Sequence, residues 1–316
     1  MRIKFTDTFV AEKQTIRILE ELFGNIEISD NPDYLFCGVS YDAERLKYNC
    51  ARIMLTGENY IPDFNIVDYA VGFHYINFED RYKRVPLYQF YENDYKLAIN
   101  KHLEYNLDEK IKFCNFVYSN GRDAMKERDE FFYLLSRYKK VDSGGRHLNN
   151  IGGKPVDDKF GFQKKYKFSI AFENASVNGY TTEKILQAFS AGTIPIYYGN
   201  PLIASEFNPK AFINCHDFKS FEDVVERVKE IDNNDELFES YLKQPIFCDI
   251  EERQDPLREY REFIYNICSQ KPEAAIRRCN VCWGEKLQNE MRDFYRFTKI
   301  NEENTIKSKM LRFLIR

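Results

Sequence analysis

Between Lys167 and Pro201 the chain reads KFSIAFENASVNGYTTEKILQAFSAGTIPIYYGNP. An apolar run ends at Phe172-Glu173-Asn174, a polar loop passes Gly179, and a helical pattern opens at Thr181-Thr182-Glu183-Lys184. Strand, loop and helix start in that order offer free backbone N–H groups and the positive end of a helix dipole, which attract phosphate. Lysine is unfavourable at a helix start on dipole grounds alone, and a bound anion would explain Lys184. Glu183 beside it has the chemistry to accept hydrogen bonds from both hydroxyls of a ribose, and Tyr180 to pack on a sugar or a base. The same residues also read as a surface charge pair on an amphipathic helix, with Asn174 as a turn residue. Spacing alone leaves both open.

A second candidate is a single carboxylate. Glu58 lies in Gly57-Glu58-Asn59, just past the strand pattern Arg52–Thr56 and therefore at its carboxyl end. Open α/β sheets bind ligands at that end, so Glu58 is placed to take a proton from an incoming hydroxyl. As a bare turn it would be only a solvated carboxylate. Hard divalent cations want paired carboxylates, and no two aspartates stand two positions apart, so no metal site is expected. The four histidines are dispersed. Six of the eight cysteines stand singly, and the one CxxC, Cys279 and Cys282, lacks the second close pair that zinc would require.

These residues need strands and helices to hold them. Arg2–Phe5 reads as a strand, and Ile16, Leu19, Leu22 and Phe23 give a helical stripe ending at Gly24. Short apolar runs follow at Tyr34–Val39 and Arg52–Thr56. A second series begins with the strand Lys112–Tyr118, a helix from about Asp123 to Tyr138 and a strand at Lys140–Asp142. It continues with strand Lys167–Phe172, helix Thr182–Ala191 and strand Thr193–Tyr198, and ends with strand Ala211–Cys215 and helix Ser220–Ile231, with Ser220 as N-cap. Strands alternating with helices predict doubly wound parallel sheets. Two series separated near residue 108 predict two Rossmann-like domains facing across a cleft, 1–108 and 109–270, followed by a helical extension at 271–316.

The composition excludes some classes. A chain of 316 residues with net charge −4 has no long basic surface for nucleic acid. No apolar run after the first charges suggests a signal peptide, and no stretch is long enough to span a membrane. A reducing cytoplasm is expected, with the CxxC mostly reduced. Thr305–Arg316 carries Lys307, Lys309, Arg312 and Arg316 without an acid, interleaved with apolar residues. Such an end can lie on an anionic membrane surface, or hang free, or pack on the body.

The segment from Phe172 to Gly199 closely resembles the signature of the α-1,3-fucosyltransferases, glycosyltransferase family ten. Its elements stand here as Phe172-Glu173-Asn174, Tyr180-Thr181-Thr182-Glu183-Lys184 and Pro195-Ile196-Tyr197-Tyr198-Gly199. Upstream, Thr56-Gly57-Glu58-Asn59 and the run from Asp68 to Tyr88 match in the same way. Phe116-Val117-Tyr118-Ser119-Asn120 and the helix carrying Arg128 supply a middle block. The resemblance implies the GT-B fold and an inverting transfer of L-fucose from GDP-fucose to a glycan hydroxyl, the 3-OH of GlcNAc or Glc. It implies Glu58 as general base and Arg128, rather than Arg122, on the donor diphosphate. Asn174, Tyr180, Glu183 and Lys184 would complete the donor site, with no cofactor or metal required. The acceptor would be an oligosaccharide or lipid-linked glycan, met by a cytoplasmic enzyme resting on the inner face of the membrane. Thr181 departs from the family, standing where an apolar residue is usual. A GT-B enzyme using another nucleotide sugar, or a catalytically dead binding protein on the same fold, are the rival readings.

Overall fold

The computed structural model describes residues 1–6, 11–39, 44–103, 105–279 and 281–314; for 252, 302–304 and 307–314 it describes the backbone alone. The chain forms two compact units, one from 1–72, 76–84 and 259–316, the other from 73–75 and 85–258.

The first unit carries β1 (Arg2–Thr6), α1 (Ala11–Phe23), β2 (Glu27–Ile28), β3 (Tyr34–Cys37), β4 (Ala51–Leu55), β5 (Tyr69–Gly72) and β6 (Tyr82–Arg84). The strands are parallel throughout, in the order β2-β1-β3-β4-β5-β6. Every residue of β3, β4 and β5 is buried, as a parallel sheet covered on both faces requires.

The second unit carries α2 (Glu92–Asn100), β7 (Lys112–Phe116), α3 (Glu127–Ser136), β8 (Val141–Ser143), α4 (Lys159–Gln163) and β9 (Tyr166–Phe172). It continues with α5 (Glu183–Ser190), β10 (Ile194–Tyr198), β11 (Ile213–Asn214), α6 (Phe221–Asp232) and α7 (Asp235–Leu242). Its sheet is again parallel, in the order β11-β10-β9-β7-β8. Side chains alternate across it with the period of two that a strand imposes. Phe168, Ile170 and Phe172 of β9 join Phe131, Leu135, Val224 and Val228 on one face, whereas Ala171 joins Ile185, Leu186 and Phe189 of α5 on the other. Ser220 caps α6 as its sequence predicts, accepting from Asp223 N at 3.2 Å. The predicted helix at 123–138 is shorter, Glu127–Ser136, because the chain first turns over Asn120, whose Oδ1 accepts from the backbone of Arg122 and Asp123.

The compact units differ from a division at 108 and 270. Residues 85–111 belong with the second unit because Tyr95, Ala98 and Ile99 of α2 pack under Ile185 and Phe189 of α5. From residue 259 the chain is back in the first unit. There α8 (Arg258–Cys268) is fastened by a hydrogen bond of 2.6 Å between Tyr260 Oη and Thr15 Oγ1. The segment after α8 is fixed by one buried carboxylate. Asp68 accepts from the backbone of Arg52, Arg277 and Arg278 at 2.7, 2.7 and 2.8 Å and pairs with the Arg278 guanidinium, both side chains being fully buried. Helix α9 (Trp283–Leu314) follows, its Gln288 accepting from Arg52 at 3.0 Å. The eight cysteines are free thiols, with Cys279 and Cys282 exposed.

Candidate functional site

In the second sheet the chain runs from β7 outward to β8, then crosses back to β9 and proceeds the other way through β10 to β11. The order reverses between β7 and β9, and at such a switch point the loops leaving the carboxyl ends of the two strands part and leave a crevice. A cavity of about 380 Å³ lies there, lined among others by Tyr118, Asn120, Arg128, Asn174, Glu183 and Lys184. At one point of its lining two backbone segments meet closely. A Cβ on Gly145 would come within 1.9 Å of Tyr118 O, so only glycine lets the β8 loop approach the β7 loop this closely.

Arg128 is only 1% exposed, yet no carboxylate pairs with it among the described residues. Its guanidinium lies over the Tyr118 ring, 4.3 Å from the centroid, donating to Asn174 Oδ1 at 3.2 Å and to Asn120 O. Its Nε is buried and has no hydrogen-bond partner. A desolvated cation with an unused donor, held by a ring and two neutral oxygens, is a site for an anion. Asn174, expected as a ligand contact, is here the group that orients Arg128.

Across the cavity stands the start of α5. The N-cap Thr182 makes no side-chain cap to a backbone N–H of the first turn, and its hydroxyl accepts instead from Lys184 Nζ at 2.7 Å. Its hydroxyl and its N–H donate to the Glu173 carboxylate, at 2.6 and 2.7 Å, and Lys184 Nζ reaches the same carboxylate at 3.1 Å. Glu173 is fully buried. Burial pushes its carboxyl above the ordinary range, against the pull of Lys184 and Thr182. It fits because residue 199 is glycine: a Cβ there would stand 2.4 Å from Glu173 Cγ. Lys184 is correspondingly committed. Burial works against its charge, but Glu173 and then Glu183, at 3.7 Å, hold the ammonium well above an ordinary lysine. Lysine at this helix start is therefore explained first by a buried glutamate, which dipole reasoning from the sequence did not anticipate. Burial likewise opposes the charge of Glu183, and Lys184 and Lys159 together overcome it, holding its carboxyl below the ordinary range.

The polar residue at position 181 is accommodated by two partners. Thr181 is fully buried, donating to Glu206 Oε1 and accepting from Asn200 Nδ2, both at 3.0 Å.

The structure thus gathers Arg128, Asn174, Glu183 and Lys184 at one cavity. Tyr180 does not line it; its ring is 1% exposed and meets Phe73 edge-on at 4.9 Å. Glu58 belongs to the first unit, exposed just beyond β4. Its loop is a tight turn, with Thr56 Oγ1 accepting from Glu58 N at 3.0 Å and Tyr60 N donating to Glu58 O at 2.8 Å. Two residues of the arrangement were not singled out in the sequence, Glu173, fully buried behind the start of α5, and Lys159 at the start of α4, which lines the cavity. An acid ending an apolar strand run was a usable signal for Glu173. Lys159, in a polar stretch with several lysines, carried none.

Arg128→Met keeps contact with the Tyr118 ring and removes the charge. It should weaken pyrophosphate and nucleoside diphosphate binding by ~10- to 100-fold, the worth of a charged hydrogen bond. Isothermal titration reads this directly, and unchanged affinity would take Arg128 out of the anion site.

Comparison with known proteins bears on the whole arrangement. The model of the α-(1,3)-fucosyltransferase FucT N-terminal domain matches residues 2–91, and that of the glycosyltransferase family 10 (fucosyltransferase) C-terminal region matches 107–301. The chain is 39% identical over 215 residues to the α-(1,3)-fucosyltransferase FucT of Helicobacter pylori, covering 57% of this chain and 44% of that protein. It is 26% identical over 217 residues to α-(1,3)-fucosyltransferase B of Drosophila melanogaster, covering 63% and 48%. The chain spans about half the length of the curated relatives it matches. Among solved structures, an α1,3-fucosyltransferase aligns with TM-score 0.73 at 25% identity, over 89% of this chain and 93% of that one. An α1,3-fucosyltransferase crystallised with GDP-fucose aligns with TM-score 0.66 at 27% identity, over 84% and 90%. The two parallel α/β sheets are those of the GT-B fold class. With the longer family match taking in every wall of the cavity, the chain belongs to glycosyltransferase family 10, the fucosyltransferases.

Proposed function

We propose that the protein transfers L-fucose from GDP-fucose to a hydroxyl of a glycan acceptor, the 3-OH of GlcNAc or Glc, with inversion and without a metal. The observation that carries this is Arg128, a buried cation with no carboxylate partner among the described residues that lines the switch-point cavity together with Glu183 and Lys184 of α5. Family membership and the likeness to a fucosyltransferase crystallised with GDP-fucose support the choice of donor. Arg128, the α5 dipole and Lys184 receive the diphosphate, Glu183 takes the ribose hydroxyls, and Asn174 keeps Arg128 in place. Tyr180 joins the donor site only if its ring leaves the contact with Phe73.

In the reaction the acceptor oxygen attacks C1 of fucose as the bond from C1 to the phosphate oxygen breaks. The acceptor proton passes to the Glu58 carboxylate and the electron pair leaves with GDP. One displacement on the face opposite the leaving group inverts C1. GDP leaves as a stable anion, so cations and a helix dipole suffice where an acid would otherwise be needed. The first unit supplies the acceptor side and the second the donor side.

We place the enzyme in the cytoplasm, resting on the inner face of the membrane. No helix is long and apolar enough to cross a bilayer among the described residues. Helix α9 exposes Trp283, Phe294, Phe297, Ile300 and Ile306. The side chains of Lys307, Lys309, Arg312 and Arg316 lie outside the described residues.

Glu58→Gln should lower kcat by ~10²- to 10⁴-fold, the contribution of a general base, while GDP-fucose affinity stays within a few fold. Retention of more than about a tenth of the wild-type rate would exclude Glu58 as the base. In the same assay, excess EDTA should leave the rate unchanged; loss restored by Mn²⁺ would show that an ion neutralises the diphosphate. Deleting 305–316 should reduce co-sedimentation with anionic vesicles in a salt-sensitive manner and leave kcat on a soluble acceptor intact. Equal, salt-insensitive partitioning of both forms would remove the tail from membrane binding.

A further inference from the structure

Counting charges around α5 exposes a shortage. Two carboxylates, Glu173 and Glu183, face the first turn, and Lys184 is nearer the first, at 3.1 Å, than the second, at 3.7 Å. One ammonium cannot fully neutralise two carboxylates, one fully and one largely buried, and a carboxylate left short of positive charge takes up a proton instead. The missing charge comes from α4. Lys159, its first residue, lines the same cavity and donates to Gln187 Oε1 at 2.6 Å. Gln187 follows Glu183 by one turn on α5, so the two side chains share a helix face. Gln187 is anchored in turn, donating to Asp94 Oδ2 at 3.3 Å, while Ser190 holds Asp94 Oδ1 at 3.1 Å. Lys159 is therefore fastened at a fixed height on the Glu183 face.

We propose that Lys159 is a positioning residue for donor binding: fastened to Gln187, it adds to Lys184 the second positive charge that keeps Glu183 ionised and available to the ribose hydroxyls. This rests on the reading of Glu183 as the ribose contact. With Lys159 present, two ammonium groups balance two carboxylates and Arg128 remains for the diphosphate. Burial depresses the proton affinity of Lys159 and attraction to Glu183 opposes this, as expected of a cation serving that carboxylate.

The test compares GDP with 2′,3′-dideoxy-GDP by isothermal titration on the full chain. The wild type should prefer GDP by ~10- to 100-fold, the worth of hydrogen bonds to a charged group. Lys159→Met should weaken GDP about tenfold and leave dideoxy-GDP within about twofold, with KM for GDP-fucose raised and kcat little changed, the pattern of lost uniform binding. Lys159→Arg should restore the preference. Equal weakening of both nucleotides would place Lys159 on the phosphates or in the fold, and no weakening would remove it from the site; either overturns the proposal while the ribose reading stands. A wild type that binds both nucleotides alike would overturn the ribose reading, and the proposal with it.

Discussion

A carboxylate shut away from water at the end of a central strand is tolerable only if donors surround it. Glu173 meets that condition by drawing in Thr182 through both its hydroxyl and its N–H, and Lys184 through its ammonium. Those bonds set where α5 begins and which way its first turn faces. They also turn Thr182 away from the ordinary capping role, leaving the helix start open toward the cavity. Gly199, just past the end of β10, makes room for that side chain. The cavity wall at the start of α5 is thus shaped from behind by a buried carboxylate.

The opposite wall obeys a complementary rule. Arg128 is buried with no carboxylate paired to it among the described residues, an arrangement that costs free energy and that an anion would relieve. Asn174 and Asn120 hold it with neutral oxygens, which orient a guanidinium without cancelling its charge. The Asn120 oxygen is a main-chain carbonyl, so Asn174 is the one of the two where an acid in its place would pair the charge. The cavity therefore has one wall whose charges are internally balanced and one whose charge is not, and the polarity of binding follows from the difference.

Much of this was legible in the chain. The strand and helix rhythm predicts both parallel sheets, and the strand–loop–helix at Phe172–Lys184 predicts an anion site. Family resemblance brings Arg128 to the same place, although 46 residues separate it from its partner Asn174. What stayed hidden depends on contacts between distant segments. A glutamate ending a strand looks the same whether it is solvated or buried under a helix start. Tyr180 looks like a ligand contact until Phe73 is found beside it. The division at 85 rather than 108 rests on α2 packing under α5, and the return at 259 rests on Tyr260, Arg277 and Arg278 reaching back to Thr15 and Asp68. No local pattern encodes those pairs.

That return carries a consequence for how the chain is made. Domains generally fold as units while the ribosome delivers them, the amino-terminal one first. Here the amino-terminal unit is split, and Asp68 waits in it for Arg277 and Arg278, some two hundred residues further on. The second unit is nearly continuous, from 85 to 258, and its sheet can close as soon as that stretch has emerged. Nascent-chain order is thereby reversed: the unit synthesised second can mature first, and the one synthesised first stays incomplete, with Asp68 lacking two of its partners, until residues 277 and 278 have emerged. During that interval β3, β4 and β5, each buried on both faces in the finished sheet, are the segments most in need of a chaperone.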